Sequence, residues 1–177
     1  MTTTVARRRR AGSPGQALAE FALVAPIFFL LVFGIIELGI LFGGQNGLVA
    51  SARELARYAA PYRVKTQTDA NNVCADTRLG TQLTVFLKQS LPGYIAANVS
   101  TRSITYHWFP NADGTTYSVQ LQINVSYKFP LRVPLVGGIL DGFDGVSDNK
   151  LKLSAVEQMR IENEDLTATY SDVTCSI

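Results

Sequence analysis

The sequence is poor in the side chains on which enzymes and metalloproteins depend. Its 177 residues include one histidine and two cysteines, and charged residues make up 17% of the chain, against about 25% in an average soluble protein. The histidine, His107, lies between Tyr106 and Trp108 and has no partner at the spacing of a triad or metal site, so we interpret it as structural. The sequence therefore predicts a protein that is not an enzyme, needs no cofactor and has no small-molecule substrate.

Positive charge is concentrated at the N-terminal end. Four of the 16 basic residues are consecutive: Arg7, Arg8, Arg9 and Arg10. From Pro61 to the end, the chain has 10 Lys and Arg against 11 Asp and Glu, a net charge of −1. A nucleic-acid-binding domain needs a basic face, so this balance excludes nucleic acid as a partner.

Residues 21–42 form a long apolar run, FALVAPIFFLLVFGIIELGILF, in which Glu37 is the only charge. A bilayer core of about 30 Å needs about 20 apolar residues in a helix, so this run is long enough to cross a membrane. A helix on the core of a soluble protein would have a polar face, which this run lacks. We predict a transmembrane span over residues 21–42.

The arginines directly before this run predict its orientation. Basic residues stay on the cytoplasmic side of a membrane, so we expect the N-terminus inside and everything after Phe42 outside the cytoplasmic membrane. The alternative is a cleaved secretory signal peptide, which has a shorter apolar segment followed by an Ala-x-Ala pattern. Residues 43–47 contain no such pattern, and residues 11–15 lack the apolar extension of a twin-arginine signal.

The segment before the span places a carboxylate at the membrane edge. Glu20 stands immediately before Phe21, and an acid at that depth is a candidate functional residue because burying its charge is costly. The simplest interpretation is a side chain that extends to water from the end of the span. Together with Gly15, however, Glu20 forms the pattern glycine, four residues, glutamate, which resembles the processing site of type IV prepilins.

That resemblance implies cleavage by a prepilin peptidase between Gly15 and Gln16 on the cytoplasmic side. Cleavage would create an α-amino group on Gln16, roughly 6 Å from Glu20 along a helix. In an assembled bundle, the Glu20 carboxylate would pair with the amine of a neighbouring subunit, since an unpaired buried carboxylate is strongly disfavoured. Gln16 departs from the Phe or Met of major type IV pilins, although the Flp/Tad branch tolerates other first residues.

Two sequence blocks narrow the resemblance to the TadE-like family of the tight-adherence (Tad, or Flp) pilus system. The first reads Gly15-x-Ala17-x-x-Glu20-Phe21-Ala22-Leu23-Val24-x-Pro26, then Gly34-Ile35-Ile36-Glu37-x-Gly39, and the second covers residues 50–59. Residues 154–162 are similar to the family's C-terminal strand. The family implies a minor pseudopilin of the inner membrane that enters a pilus assembly. Its implied partners are the membrane, the prepilin peptidase, other pilins and pseudopilins, and the inner-membrane assembly platform.

The predicted fold class is α+β in a pilin-like layout. We expect a basic cytoplasmic leader at residues 1–15 and a long N-terminal helix at residues 16–60, ended by Pro61. An exported head at residues 61–177 should contain a small antiparallel sheet with one or two packed helices.

Two residues of the long helix are predicted to shape its packing. Pro26 removes one backbone donor, so we expect a kink there. Glu37 would lie about 26 Å from Glu20 along a helix, near the outer interface. Its carboxylate either reaches periplasmic water or contacts another subunit.

Glycines follow in the second half of the helix. Gly39 and Gly43 have the GxxxG spacing of close helix contacts, and Gly34 lies one turn earlier. The glycine-rich residues 43–47 are expected to loosen or interrupt the helix as it leaves the membrane. Leu48, Ala52, Leu55 and Ala59 then form an apolar stripe at helical spacing.

Alternation of apolar and polar residues predicts three strands in the head, with one helix before them. The strands are Val99 to Phe109, Thr116 to Phe129 and Leu151 to Ile161. The turn signal at residues 111–114 joins the first two strands in a hairpin. Gln82 to Leu91 has apolar residues at helical spacing, whereas residues 62–81 lack periodicity and are predicted to be a loop.

The two cysteines, Cys74 and Cys175, both fall on the predicted exported side. An even count in an oxidising compartment predicts one disulfide that ties the C-terminus to the early part of the head. Two free buried thiols are the alternative.

Three acids follow the second strand. Asp141, Asp144 and Asp148 do not have the spacing of an EF-hand calcium loop. We interpret them as a solvated acidic loop and predict no metal site.

Two other functions are compatible with an anchored head. The first is a bitopic binding or structural module that is never cleaved, in which the arginines remain attached as a barrier to translocation. The second is an anchored hydrolase, but the sequence shows no credible nucleophile and base for it.

Overall fold

The computed structural model describes residues 14–141 and 145–177, except the side chains of Pro14, Pro134, Leu135 and residues 162–165. The predicted topology signal Arg7 to Arg10, most of the predicted leader, and Asp144 of the acidic loop lie outside the described residues. The first described element is helix α1, Pro14–Ala59, of 46 residues. At 1.5 Å per residue this helix is about 69 Å long. The prediction of a long N-terminal helix is confirmed.

The head is built on an antiparallel sheet with the strand order β3-β2-β1-β4 among the described residues. Its strands are β1 (Val99–Pro110), β2 (Tyr117–Pro130), β3 (Lys150–Leu166) and β4 (Val173–Ser176). The first two form the predicted hairpin, with Ile104 opposite Ile123. The short β4 was missed, since four residues carry too little alternation to identify a strand.

One face of the sheet is apolar and the other polar. The inner face of β2 is buried from end to end, through Val119, Leu121, Ile123, Val125, Tyr127 and Phe129. The outer face has amide and hydroxyl side chains that bond between strands, such as Gln120 with Gln158 at 2.9 Å and Ser126 with Ser154 at 2.8 Å. Such alternation is the pattern of a sheet covered on one side only.

The C-terminal half of α1 covers the inner face. Its predicted stripe of Leu48, Ala52, Leu55 and Ala59 is fully buried in the core of the head. The side chain of Arg53 pairs with Glu157 of β3 at 2.9 Å. One helix therefore serves as both the N-terminal extension and part of the head core, so the two cannot be separated without exposing that core.

Two helices occupy the segment that follows α1. They are α2 (Gln67–Cys74) and α3 (Thr77–Ser90), so the prediction of a loop at residues 62–81 is wrong. The α2 helix begins with a capping box, in which the Thr66 hydroxyl accepts from the Asp69 N–H and Asp69 accepts from the Thr66 N–H. Capping satisfies backbone donors that a short helix leaves open, and this stabilisation does not depend on apolar periodicity.

Two shorter elements complete the head. A 3₁₀ turn at Ala96–Asn98 precedes β1, and helix α4, Pro134–Leu140, lies between β2 and β3. The α4 helix packs against α1. The overall layout, a long apolar N-terminal helix followed by a small antiparallel sheet with a few helices, confirms the predicted α+β class.

Candidate functional site

The predicted processing site lies at the exposed start of α1. Gly15, Gln16, Glu20 and Phe21 are all exposed, and no atom would lie within 4 Å of a Cβ at Gly15. The Gln16 amide donates a hydrogen bond to the Glu20 carboxylate at 3.1 Å. The Gly15–Gln16 bond therefore lies apart from the head, on an exposed part of the helix.

The N-terminal half of α1 exposes large apolar side chains around the helix. They are Leu18, Phe21, Leu23, Val24, Ile27, Phe28, Phe29, Leu31, Phe33, Ile35 and Ile36. Among the described residues this is the helix that is long and apolar enough to cross a membrane. An apolar surface of this extent is typical of contact with lipid or other apolar helices, and it supports a single-pass membrane anchor. Pro26 lies within this half and does not end the helix; the kink remains a prediction.

The contact between α1 and the head begins at Glu37. From there the buried positions follow at steps of three or four residues, through Leu41, Gly44, Leu48, Ser51, Leu55 and Ala59. This spacing is one face of a helix. The head therefore starts at the level of Glu37, five residues before the end of the predicted span at Phe42.

Glu37 is itself buried, with 1% of its surface exposed. One carboxylate oxygen, Oε1, accepts a hydrogen bond from the backbone N–H of Arg132 at 3.0 Å. The other oxygen, Oε2, has no hydrogen-bond partner among the described residues. Burial of Glu37 against the head does not fit a side chain that reaches periplasmic water. A contact with another subunit stays a prediction. The Glu37 carboxylate holds the head against the helix.

The helix glycines fall into two groups. Gly34, Gly39 and Gly43 face open space, because a Cβ at each would meet no atom within 4 Å. A Cβ at Gly44 would instead lie 2.2 Å from the Phe129 ring, and one at Gly47 would lie 2.3 Å from the Ser90 carbonyl oxygen. The prediction that residues 43–47 interrupt the helix is wrong. Two of these glycines give the head room to pack closely against an unbroken helix.

A small apolar groove lies between α1 and the edge strand β3. It has a volume of about 170 Å³ and is lined by Leu38, Leu41, Phe42, Gln45, Leu151 and Leu153. The Gln45 amide donates to the Ser154 carbonyl at 3.0 Å. Two of its lining residues, Leu38 and Phe42, are exposed and follow directly on the apolar surface of the N-terminal half of α1.

At the other edge of the sheet, the C-terminal residues are covalently tied to the helical layer. Cys74, the last residue of α2, forms a disulfide with Cys175 of β4, which confirms the predicted pairing. The Thr105 and Thr174 hydroxyls hydrogen-bond at 2.9 Å between β1 and β4. The disulfide therefore fixes the shortest strand of the sheet to the helix that lies beside it.

His107 has an acidic partner that the sequence did not indicate. Its Nδ1 lies 2.7 Å from the Asp172 carboxylate, just before β4. A histidine and carboxylate at this distance are found in catalytic dyads and in structural pairs alike. Here the pair joins β1 to the C-terminal segment, next to the Thr105 and Thr174 contact. The expectation that His107 has no triad-type partner is corrected, and its geometry supports a structural role.

The acids after β2 are bonded within the fold. Asp148 pairs with Lys128 at 2.8 Å, and this hydrogen bond is the main reason that the pKa of Asp148 is lowered. Asp141 accepts from the Asn149 N–H at 2.9 Å. These two acids therefore act as turn and ion-pair groups. In the described ranges, no group of three or more His, Cys, Asp or Glu side chains is placed to hold a metal ion.

Sequence reasoning missed the residues that join α1 to the head. Arg132 is 95 positions from Glu37. Because its backbone N–H makes the contact, the type of side chain at position 132 gives no indication of it. One missed feature did have a local signal: Thr66 followed three residues later by Asp69 matches the pattern of a helix N-terminus. Applying that signal would have identified α2.

Comparison with known proteins locates a family resemblance on α1. A family model described as "TadE-like protein" matches residues 15–57. The matched segment is less than half of the chain and includes the predicted processing site, the exposed apolar half and most of the stripe in the head. It does not include residues 154–162. No curated protein and no solved structure matches the chain.

Proposed function

The N-terminal helix of this chain is TadE-like over residues 15–57, which indicates a Tad pilus-related protein with an N-terminal membrane helix, and from this we propose a minor pseudopilin. In this proposal the chain is a subunit of a Tad-type pilus assembly. It is cleaved after Gly15 by a prepilin peptidase and held among other pilins by α1. The observation that carries the proposal is the exposed apolar half of α1 with Glu20 at its start.

The geometry of α1 supports assembly by helix packing. The apolar half needs either lipid or other apolar helices around it, because exposure of so many large side chains to water is unfavourable. Within one chain, Glu20 accepts a hydrogen bond from the uncharged Gln16 amide. After cleavage, the charged amine of a neighbouring chain is a stronger partner for it in an apolar bundle.

The proposal also gives the chain a location and partners. Arg7 to Arg10 hold the N-terminus in the cytoplasm and the head emerges on the outer side of the inner membrane. The partners are the peptidase, other pilins and pseudopilins, and the assembly platform. The head and its disulfide suit an oxidising compartment. We propose no catalytic role: the single histidine, His107, pairs through Nδ1 with Asp172 beside the bond between the Thr105 and Thr174 hydroxyls, where the pair joins β1 to the C-terminal segment.

The processing step is tested by the N-terminal peptide mass of the membrane-extracted protein, with and without a co-expressed prepilin peptidase. A peptidase-dependent chain that starts at Gln16 is expected. Gly15→Leu should abolish cleavage, whereas Gly34→Leu, at an equally open helix glycine, should not. An intact N-terminus under both conditions would leave an uncleaved, membrane-anchored ectodomain as the function.

The assembly step is tested separately with Glu20→Gln. This variant should be cleaved normally but fail to enter the pilus, because it removes the charge that pairs with the new amine. Glu54→Gln is the matched control, since Glu54 is an exposed carboxylate on the same helix. Equal incorporation of Glu20→Gln and the parent would refute the pairing role of Glu20.

A further inference from the structure

The depth at which the head meets α1 has a consequence for the bilayer. A hydrocarbon core of about 30 Å takes up about 20 helical residues. An exposed carboxylate stays at the edge of that core because its burial is costly, so a core that begins at Glu20 ends near Ile40. The head, however, already contacts α1 at Glu37. Its lowest part therefore overlaps the outer edge of the core by about 4.5 Å.

The part of the head at this level is apolar. We define the underside of the head as α4 together with Leu151 and Leu153 of β3. The α4 sequence, PLVGGIL, has no charged residue, and it starts two residues after Arg132, whose N–H bonds Glu37. Ile139 of α4 is 59% exposed. Leu151 and Leu153 line the apolar groove with Leu38 and Phe42 of the span.

We propose that the underside of the head lies in the interfacial layer of the bilayer that α1 crosses. The occupant of this surface is lipid: the acyl-chain segments next to the headgroups cover Ile139 and fill the groove. Leu38 and Phe42, which line the groove, are themselves exposed and continue the apolar surface of the N-terminal half of α1 along the helix, so the groove and the span form one apolar surface. An overlap of about 4.5 Å is close to the lower end of the depth of about 5–10 Å at which interfacial helices lie.

The polar groups around the underside are compatible with this placement. The Arg132 and Lys152 side chains are exposed, and long cationic side chains at a membrane edge extend toward lipid phosphates. A head held by both α1 and its underside would lose rotational freedom about the span. The proposal thus concerns how the head is oriented before assembly, and it does not depend on cleavage after Gly15.

The test places tryptophan at chosen positions of the full chain in vesicles of phosphatidylcholine and phosphatidylglycerol in equal parts. Ile139→Trp is the test variant. Phe28→Trp, in the exposed half of α1, reports the bilayer core, and Phe109→Trp, 44% exposed at the far end of β1, reports water. The native Trp108 is common to all variants, so its emission can be subtracted. It lies about 30 Å along β1 from Val99, at the same end of the strand as Phe109.

Quenching by lipids brominated high on the acyl chain is the readout. The tryptophan emission of Ile139→Trp should be quenched by these lipids and should lie at shorter wavelength than that of Phe109→Trp. Phe28→Trp should show the same two effects with lipids brominated deeper on the acyl chain. Quenching of Phe28→Trp without quenching of Ile139→Trp would overturn the proposal and leave the anchor intact. Quenching of neither would overturn both.

A second copy of the chain is the competing occupant. At high protein density, such a copy would protect the tryptophan of Ile139→Trp from both quenchers, bromolipid in the membrane and acrylamide in water. If this protection were seen at high protein density and absent at low protein density, a protein contact would cover the underside and the proposal would be wrong. Gly138→Trp repeats the measurement at a neighbouring open position, in case Ile139→Trp fails to fold. Formation of the disulfide and the circular dichroism spectrum show which variants are folded.

Discussion

The Glu37 carboxylate accepts a hydrogen bond at 3.0 Å from the backbone N–H of Arg132, 95 residues later in the chain. This bond links the end of the exposed apolar helix to the loop that leads into α4. Because Glu37 is the first buried residue of α1 among the described side chains, the bond marks the point where the helix becomes part of the head.

Replacing Glu37 should loosen that junction. Glu37→Ala leaves the Arg132 N–H without its acceptor, and an unsatisfied buried donor costs about 1–3 kcal/mol. Glu37→Gln retains a carbonyl oxygen at this position and should lose less. Chemical denaturation of the detergent-solubilised protein measures the free energy of unfolding. Equal loss in both variants would mean that the hydrogen bond to Arg132 does not account for the role of Glu37.

Gly47 should tolerate no side chain. A Cβ there would lie 2.3 Å from the Ser90 carbonyl oxygen, and backbone cannot move aside as a side chain can, so Gly47→Ala should destabilise the head by about 1–3 kcal/mol. Gly43→Ala is the matched control, since its Cβ meets open space and alanine favours a helix by about 1 kcal/mol. Thermal unfolding of both variants measures the difference. A stable Gly47→Ala would show that α1 and α3 can separate without cost.

Removal of the disulfide should destabilise the head and release β4. The bond joins residues 101 positions apart, and loss of a native disulfide of this kind costs about 2–4 kcal/mol. The double variant Cys74→Ser with Cys175→Ser should unfold at lower denaturant concentration than the parent. Reductant should lower the stability of the parent and leave the double variant unchanged. Protection of β4 amides from hydrogen exchange reports the release directly.

Asp113 should make the hairpin sensitive to acid. The Thr116 hydroxyl, followed by the Thr116 and Thr115 backbone N–H groups, lowers the pKa of Asp113 from 3.8 to about 2. Since the folded pKa is the lower one, the stabilisation is complete above 3.8 and is lost as pH falls toward about 2.

This acid dependence is measured as the denaturation midpoint across that pH window. Asp113→Asn should remove the part of the dependence that the carboxylate contributes. Thr116→Val removes the first cause of the lowered pKa, which brings the folded pKa closer to the unfolded one. The loss of stability in acid should therefore be smaller than in the parent and complete at a higher pH. An unchanged pH profile in both variants would show that Asp113 does not link the hairpin to pH.

The local pattern of apolar and polar residues predicted the helices and strands in which that pattern repeats along the chain. The apolar run at residues 21–42 indicated a membrane helix, and alternation from Thr116 to Phe129 indicated a strand that the structure places at Tyr117–Pro130. Both signals arise because one face, or the whole surface, of an element meets an apolar environment. The disulfide was predictable for a different reason, since two cysteines allow one intramolecular pair.

Elements stabilised by polar contacts left weaker signals. The α2 helix is short and begins with a capping box, so a search for apolar periodicity passed over it. Residues 43–47 were misread because a glycine in a helix has two physical meanings. It weakens the helix through conformational entropy. It also lets another segment pack closely against the helix backbone, and the segments that do so here, at Phe129 and Ser90, are distant in sequence.

The long apolar helix, the TadE-like segment, the hairpin and the cysteine pair could all be predicted from the sequence, because each depends on residue type and short-range spacing. The position on that helix where the head begins could be found only from the folded chain. Burial of Glu37, its bond to Arg132 and the clearance at Gly44 and Gly47 depend on which segments pack together. Packing partners are chosen by the fold of the whole chain, and no local pattern contains them.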